Sequence, residues 1–168
     1  RLCRYAAMRN RKPLFWDAPF QTMNDAQLKW LPEDVSLLVR QYEGGGGRAF
    51  PELLIRLDRF RRMERKIWGA ALLQSGGGYE CFDNVDGWAE AAELGYLDGA
   101  VVSVFTRAHP QGALYEPLEA LWPAILYAAE RFWTGRKPTS RHEFAERFTA
   151  KFHGARKKPL RDRVWGAY

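Results

Sequence analysis

The residues that close four apolar runs form a set with chemistry in it. Trp16 and Asp17 end the first run, Gln41, Tyr42 and Glu43 follow the second, Gln74 and Ser75 the third, and Phe105, Thr106, Arg107 and His109 the fourth. Aromatic faces beside carboxylate, amide and guanidinium groups suit a sugar, because a pyranose offers a C–H face for stacking and a rim of hydroxyls for hydrogen bonding. Other chemistries fit these residues less well. Glycoside hydrolysis usually takes two flanking carboxyl groups, and Asp17 and Glu43 carry no sign that they converge. There is no GxSxG, and neither cysteine has a convincing histidine partner. His109, before Pro110, reads as a hydrogen-bonded loop histidine. Cys3 and Cys81 form no CxxC, so neither a zinc site nor a disulfide scaffold is indicated, and no metal or cofactor is expected. The glycine runs at 44–47 and 76–78 fit neither GxxxxGK[ST] nor GxGxxG in its proper context, and read as loops at strand ends.

Elements must bring those residues together, and the pattern predicts which. The segments 13–17, 35–41, 66–73 and 100–105 are apolar at both alternating positions, as in strands of a parallel sheet buried on two faces. Helical patterns lie between them: Asp25 to Leu31, Pro51 to about Arg65, and Val85 to Leu94. With strand starts at 13, 35, 67 and 100, the steps are near the spacing of a βαβ unit. The fold class is therefore α/β with a repeated crossover. A helix follows the fourth strand, with Leu118, Leu121, Trp122, Ile125, Leu126, Ala129 and Phe132 as its apolar stripe, and Pro123 should kink it or mark its true start. A last helix should run from an N-cap at Ser140, with Glu143 completing a capping box, to a stop at Gly154. Its Phe144, Phe148 and Phe152 read as a packing edge. The opening residues, before Met8, already look helical.

At 168 residues, 46% hydrophobic and 14% aromatic, the chain is long enough for a sizeable core. It carries no stretch long enough to span a membrane, and "RLCRYAAMRNRK" lacks the signature of a signal peptide, so a cytoplasmic location with reduced thiols is the default expectation. The formal charge of +6 raises a nucleic-acid reading, supported by Arg56, Arg59, Arg61, Arg62, Arg65 and Lys66. The same segment holds Leu53, Leu57, Phe60, Met63 and Ile67 at helical spacing, which describes an amphipathic helix with a basic solvent face. The basic tail after His153 reads as a solvated terminus.

The ordered stretches "RKPLFWDAPF", "LPEDVSLLVRQYEG", "KIWGAALLQSGG", "DNVDGWAEAAELGYLDGAVVSVFTRAHPQGALYEPLEALWP" and "YAAERFW" resemble the second half of the barrel of family 20 glycoside hydrolases, the β-N-acetylhexosaminidases, and most closely their hexosaminidase D-like branch. The similarity spans roughly residues 5 to 133. It implies a partial TIM (β/α)8 barrel with strands five to eight, in residues 1–134, and a C-terminal helix and basic tail in 135–168. It implies a glycan substrate carrying terminal N-acetylhexosamine, cleaved by substrate-assisted retaining hydrolysis, in which the 2-acetamido oxygen attacks the anomeric carbon. The family's catalytic Asp-Glu pair would lie on a strand before residue 1. This half would line the sugar pocket with Trp16, Asp17, Tyr42, Trp68, Gln74, Phe105, Arg107 and Glu116.

Three positions depart from the family pattern. Ala18 follows Trp-Asp where a second Asp is common, Arg40-Gln41 precedes Tyr42 where Trp-Asp is common, and Phe105 replaces a Trp. They put activity in question and leave a non-catalytic carbohydrate-binding barrel as the alternative, with a basic nucleic-acid-binding module as the third reading. A half-barrel would expose two strand edges and an apolar inner face, so association with a complementary half or with a second copy is expected.

Overall fold

The computed structural model describes residues 2–42, 49–74, 80–105, 121–134 and 140–154. Helix α1 (Leu2–Met8) leads through a turn at Asn10, which takes φ of 52°, into strand β1 (Leu14–Trp16). A single 3-10 turn at Ala18–Phe20 follows, then α2 (Asp25–Leu28), β2 (Ser36–Arg40), α3 (Ala49–Arg62), β3 (Lys66–Gln74), α4 (Glu80–Glu93), β4 (Gly99–Phe105), α5 (Trp122–Thr134) and α6 (Arg141–Phe152). All strand pairs are parallel, and the sheet order is β1-β2-β3-β4. The expected α/β class and four parallel strands are thus present, each strand within a residue or so of its expected bounds. Helix α3 begins earlier than expected and ends at Arg62, where Met63 and Glu64 turn the chain into β3 with Glu64 at φ of 56°.

Local signals explain several of these boundaries. Asn24 caps α2 through a reciprocal capping box with Gln27. Pro123 is the second residue of α5, a first-turn position where its missing N–H leaves no bond unmade, so it starts the helix instead of kinking it. Ser140 Oγ accepts from Glu143 N, and Gly154 takes φ of +67° just beyond α6, the left-handed geometry that terminates helices.

The two faces of the sheet differ. Phe15, Leu37, Val39, Ile67, Ala71, Leu73 and Val102 point towards the helices and join one apolar core with Leu28, Leu53, Leu57, Phe60, Val85, Trp88, Tyr127, Phe144 and Phe148. Phe144 and Phe148 stack on each other and Phe144 meets the edge of Tyr127, so the phenylalanine row of α6 is a packing edge. The alternate residues, among them Leu14, Trp16, Leu38, Arg40, Trp68, Leu72, Val101 and Ser103, share the opposite face. There Leu14 and Trp16 are each 44% exposed. The two-sided apolar pattern of the strands predicts a cover on both faces, and the described helices supply one.

The basic stretch of α3 and the turn after it is solvent-facing only in part. Arg59 pairs with Asp25, Arg61 with Asp98, and Arg62 with Asp58, while Arg56 lies beside the buried Asp17. Arg65 is buried at 7% exposure and donates to the carbonyls of Pro32 at 2.7 Å, Leu31 at 2.9 Å and Leu28 at 3.4 Å. These cations hold helix and loop ends in place. Arg61 and Arg62 keep 44% and 76% of their side chains exposed, so the solvent side of the helix stays basic at its end.

On the outer layer, Asp86 of α4 accepts from Tyr127 Oη at 2.7 Å, Arg131 Nε at 2.8 Å and Arg141 Nη2 at 2.8 Å, linking α4, α5 and α6. Burial works against the Arg141 cation, but hydrogen bonds to Asp86 and Asp83 outweigh it and push its pKa up. Burial, then the hydrogen bond to Asp86, pushes the Tyr127 phenol from 10.0 up to about 12. A pKa raised in the folded state gives stability that is complete below the unfolded value and is lost as pH rises through the folded one. Stability is therefore expected to fall between pH 10 and about 12, and Tyr127→Phe to flatten that part of the profile; urea denaturation of both proteins across the window measures it.

Candidate functional site

The site is built where the carboxyl ends of β1 and β2 meet the open face, the end of a parallel sheet at which α/β folds place their ligands. Register sets Trp16 beside Leu38 and Leu38 beside Trp68, so the two indoles lie on one face two strand spacings apart, about 10 Å. One step towards the strand ends, Arg40 stands beside Ala70 and Ala70 beside Val101. The Arg40 guanidinium lies over the Tyr42 ring, 5.8 Å from its centroid. Trp16, Arg40 and Tyr42 thus form a rim above a floor of Leu38, Trp68, Ala70, Leu72, Val101 and Ser103.

A second layer, on the helix side, fixes this rim. The Asp17 side chain is fully buried and faces the helices. Its carboxylate accepts from Gln21 Nε2 at 2.8 Å and from Arg40 N at 3.3 Å, and lies 3.6 Å from Arg56 Nε. Arg56 in turn donates to Arg40 O at 2.8 Å and to Gln41 Oε1 at 3.2 Å. From α4, Asn84 Nδ2 donates to Gln41 O at 2.8 Å, and Trp88 Nε1 donates to the same oxygen at 3.3 Å. Asn84 Oδ1 accepts from Leu72 N at 3.0 Å, tying the same helix to β3. The end of β2 is held through its backbone and the Gln41 side chain, while the Arg40 side chain stays exposed.

The expected site residues therefore separate. Trp16 and Arg40 share the open face, Trp16 beside Leu38 and Arg40 two residues further along β2, where its guanidinium lies over the Tyr42 ring. Asp17 is adjacent in sequence but on the other side of the sheet, where it positions β2 and α3 instead of facing a ligand. Trp68 sits six residues before the end of β3 at Gln74, over Gly99, so it belongs to the floor and not to the strand end. A Cβ at Gly99 would fall 2.8 Å from two Trp68 ring carbons, which is why glycine is needed there. Gln74 and Phe105 pair at the ends of β3 and β4. Arg107 and Glu116 lie outside the described residues, as do Glu43, Ser75, Thr106, His109 and the glycine runs at 44–47 and 76–78.

Arg56, Asn84 and Trp88 were not among the residues expected at the site. A polar Asn84 beside Val85 and Trp88 on a buried helix face was the available signal, since a buried amide demands partners. Among the described residues no group of three or more His, Cys, Asp or Glu side chains could hold a metal ion. Neither Cys3 nor Cys81 is in a disulfide among the described residues, and no described helix is long and apolar enough to cross a membrane.

The fold and site define an α/β protein with a four-stranded parallel sheet and an aromatic, basic rim at its carboxyl end. Comparison with protein-family models, with curated proteins and with solved structures gives no match in any of the three.

Proposed function

We propose that this chain is the sugar-binding half of a (β/α)8 barrel related to the family 20 β-N-acetylhexosaminidases, acting on glycans with terminal N-acetylhexosamine. The observation that carries the reading is the pairing of topology with side chains. Four parallel strands in sequential order have their described helices on one face, as barrel strands do, and Trp16 and Tyr42 stand on the other face at the carboxyl end. In this reading Trp16 stacks on the C–H face of the sugar, Trp68 and Leu38 form the pocket floor, and the strands that complete the barrel carry the acid. The oxygen of the substrate's own acetamido group serves as nucleophile, so no second protein carboxylate is required. Strand edges β1 and β4 pair with the completing half or with a second copy.

A non-catalytic sugar-binding barrel is the second reading. The engagement of Asp17 with Arg56 and Arg40 N favours it, because the strand-end carboxylate is already committed.

Binding of N-acetylglucosamine, followed by calorimetry, tests both readings. Millimolar affinity is expected, with Trp16→Ala weakening it by about tenfold or more, the worth of one stacking contact. The same variant should unfold within about 0.5 kcal/mol of the parent, since Trp16 is half exposed. Absence of any sugar binding would overturn both readings. Hydrolysis of an aryl N-acetylglucosaminide by a full barrel containing this chain would decide between them in favour of the first.

A further inference from the structure

We infer that the site selects an anionic sugar, one bearing a sulfate ester or a carboxylate, over a neutral one; the inference rests on the sugar-site reading above. The observation is the charge of the open face. Among its described strand residues the charged groups are Arg40 and Lys66, both cationic. The carboxylate nearest in sequence, Asp17, is buried behind the sheet and receives Arg40 through its backbone N–H, not through its guanidinium. No carboxylate among the described residues pairs with the Arg40 side chain, which is exposed over Tyr42. The basic residues of α3 differ from it, because each has an acid or a set of carbonyls within the fold.

The Arg40 guanidinium, 5.8 Å from the Tyr42 ring centroid and exposed, carries the planar fork of N–H donors that matches two oxygens of a sulfate or carboxylate. Trp16 supplies the stacking surface beside it, one strand away and two residues down. An apolar platform flanked by a guanidinium that meets no carboxylate among the described residues describes a ligand with a C–H face and an oxyanion at its edge.

The experiment is calorimetric titration of the full 168-residue chain with N-acetylglucosamine, N-acetylglucosamine 6-sulfate and glucuronic acid. At low salt, at least one anionic sugar is expected to bind about tenfold more tightly than the neutral one. That ratio should shrink as salt rises. It should approach one in Arg40→Gln, and Arg40→Lys should retain part of it. The Arg40 backbone, not its side chain, bonds to Asp17 and Arg56, so both variants keep the strand end in place. Preference for the sulfate alone or the uronate alone supports the inference and names the oxyanion. Neutral and anionic sugars binding equally, or a preference that survives Arg40→Gln, would overturn it while leaving the sugar site standing. If none of the three binds, the sugar site itself fails and the inference with it.

Discussion

Asp86→Ala is expected to lower stability by about 2–4 kcal/mol, near the cost of stranding a buried cation, reduced because Asp86 is itself 30% exposed. One carboxylate serves three donors on two helices: Tyr127 Oη, Arg131 Nε and the Arg141 guanidinium. The Arg131 side chain is only 6% exposed, so water cannot replace Asp86 there. Glu93, 3.4 Å from Arg131, offsets part of the loss. Asp86→Asn keeps an acceptor for Tyr127 and Arg131 while removing the charge, and should cost about half as much. Adding Arg131→Met to Asp86→Ala should recover stability, because the stranded cation is gone. Urea denaturation of the parent, Asp86→Ala, Asp86→Asn, Arg131→Met and the double variant decides the matter: no loss for Asn, or strictly additive losses in the double variant, would show that the charge at Asp86 is unimportant.

Gly69→Ala should cost about 2–3 kcal/mol, an overpacking penalty, and should also weaken the site. A Cβ at Gly69 would sit 2.5 Å from Trp88 Cε3, 2.8 Å from Cζ3 and 3.0 Å from Leu97 Cδ1. Trp88 is 1% exposed and cannot swing out, and its indole N–H is bound to Gln41 O. Any shift of the ring therefore pulls at the residue between Arg40 and Tyr42. Both the unfolding midpoint and the affinity for sugar should fall together. Trp88→Phe in the same chain makes room and should restore part of the stability but not the hydrogen bond, so the two effects separate. A Gly69→Ala protein as stable as the parent would show that the close fit of β3 against α4 is relaxed at little cost.

Much of the fold was legible because its signals are local. Runs such as Val35 to Val39 are apolar on both faces, and Ser140 with Glu143, or Pro123 in a first turn, mark helix starts within a few residues. The site was legible only in part. Trp16 and Tyr42 could be read as strand-end aromatics, but which face Asp17 takes is decided by alternation in a three-residue strand and by partners at 40 and 56. The clamp on Gln41 depends on Asn84 and Trp88, more than forty residues away. The acid partners of Arg59 and Arg61 were illegible for the same reason: Asp25 and Asp98 lie 34 and 37 residues from the cations they meet. Periodicity reveals which way a side chain points, and it is silent about which distant partner is waiting.

Strand order has a kinetic side as well. Each strand lies next to the strand that precedes it in the chain, so every pairing closes a loop of comparable, modest length. No pairing must wait for a distant segment to arrive. The topology favours growth one crossover at a time, with each newly added strand serving as the template for the next. The last template at either margin is left in place when growth stops, so the address at which a further strand would be added is already written into β1 and β4.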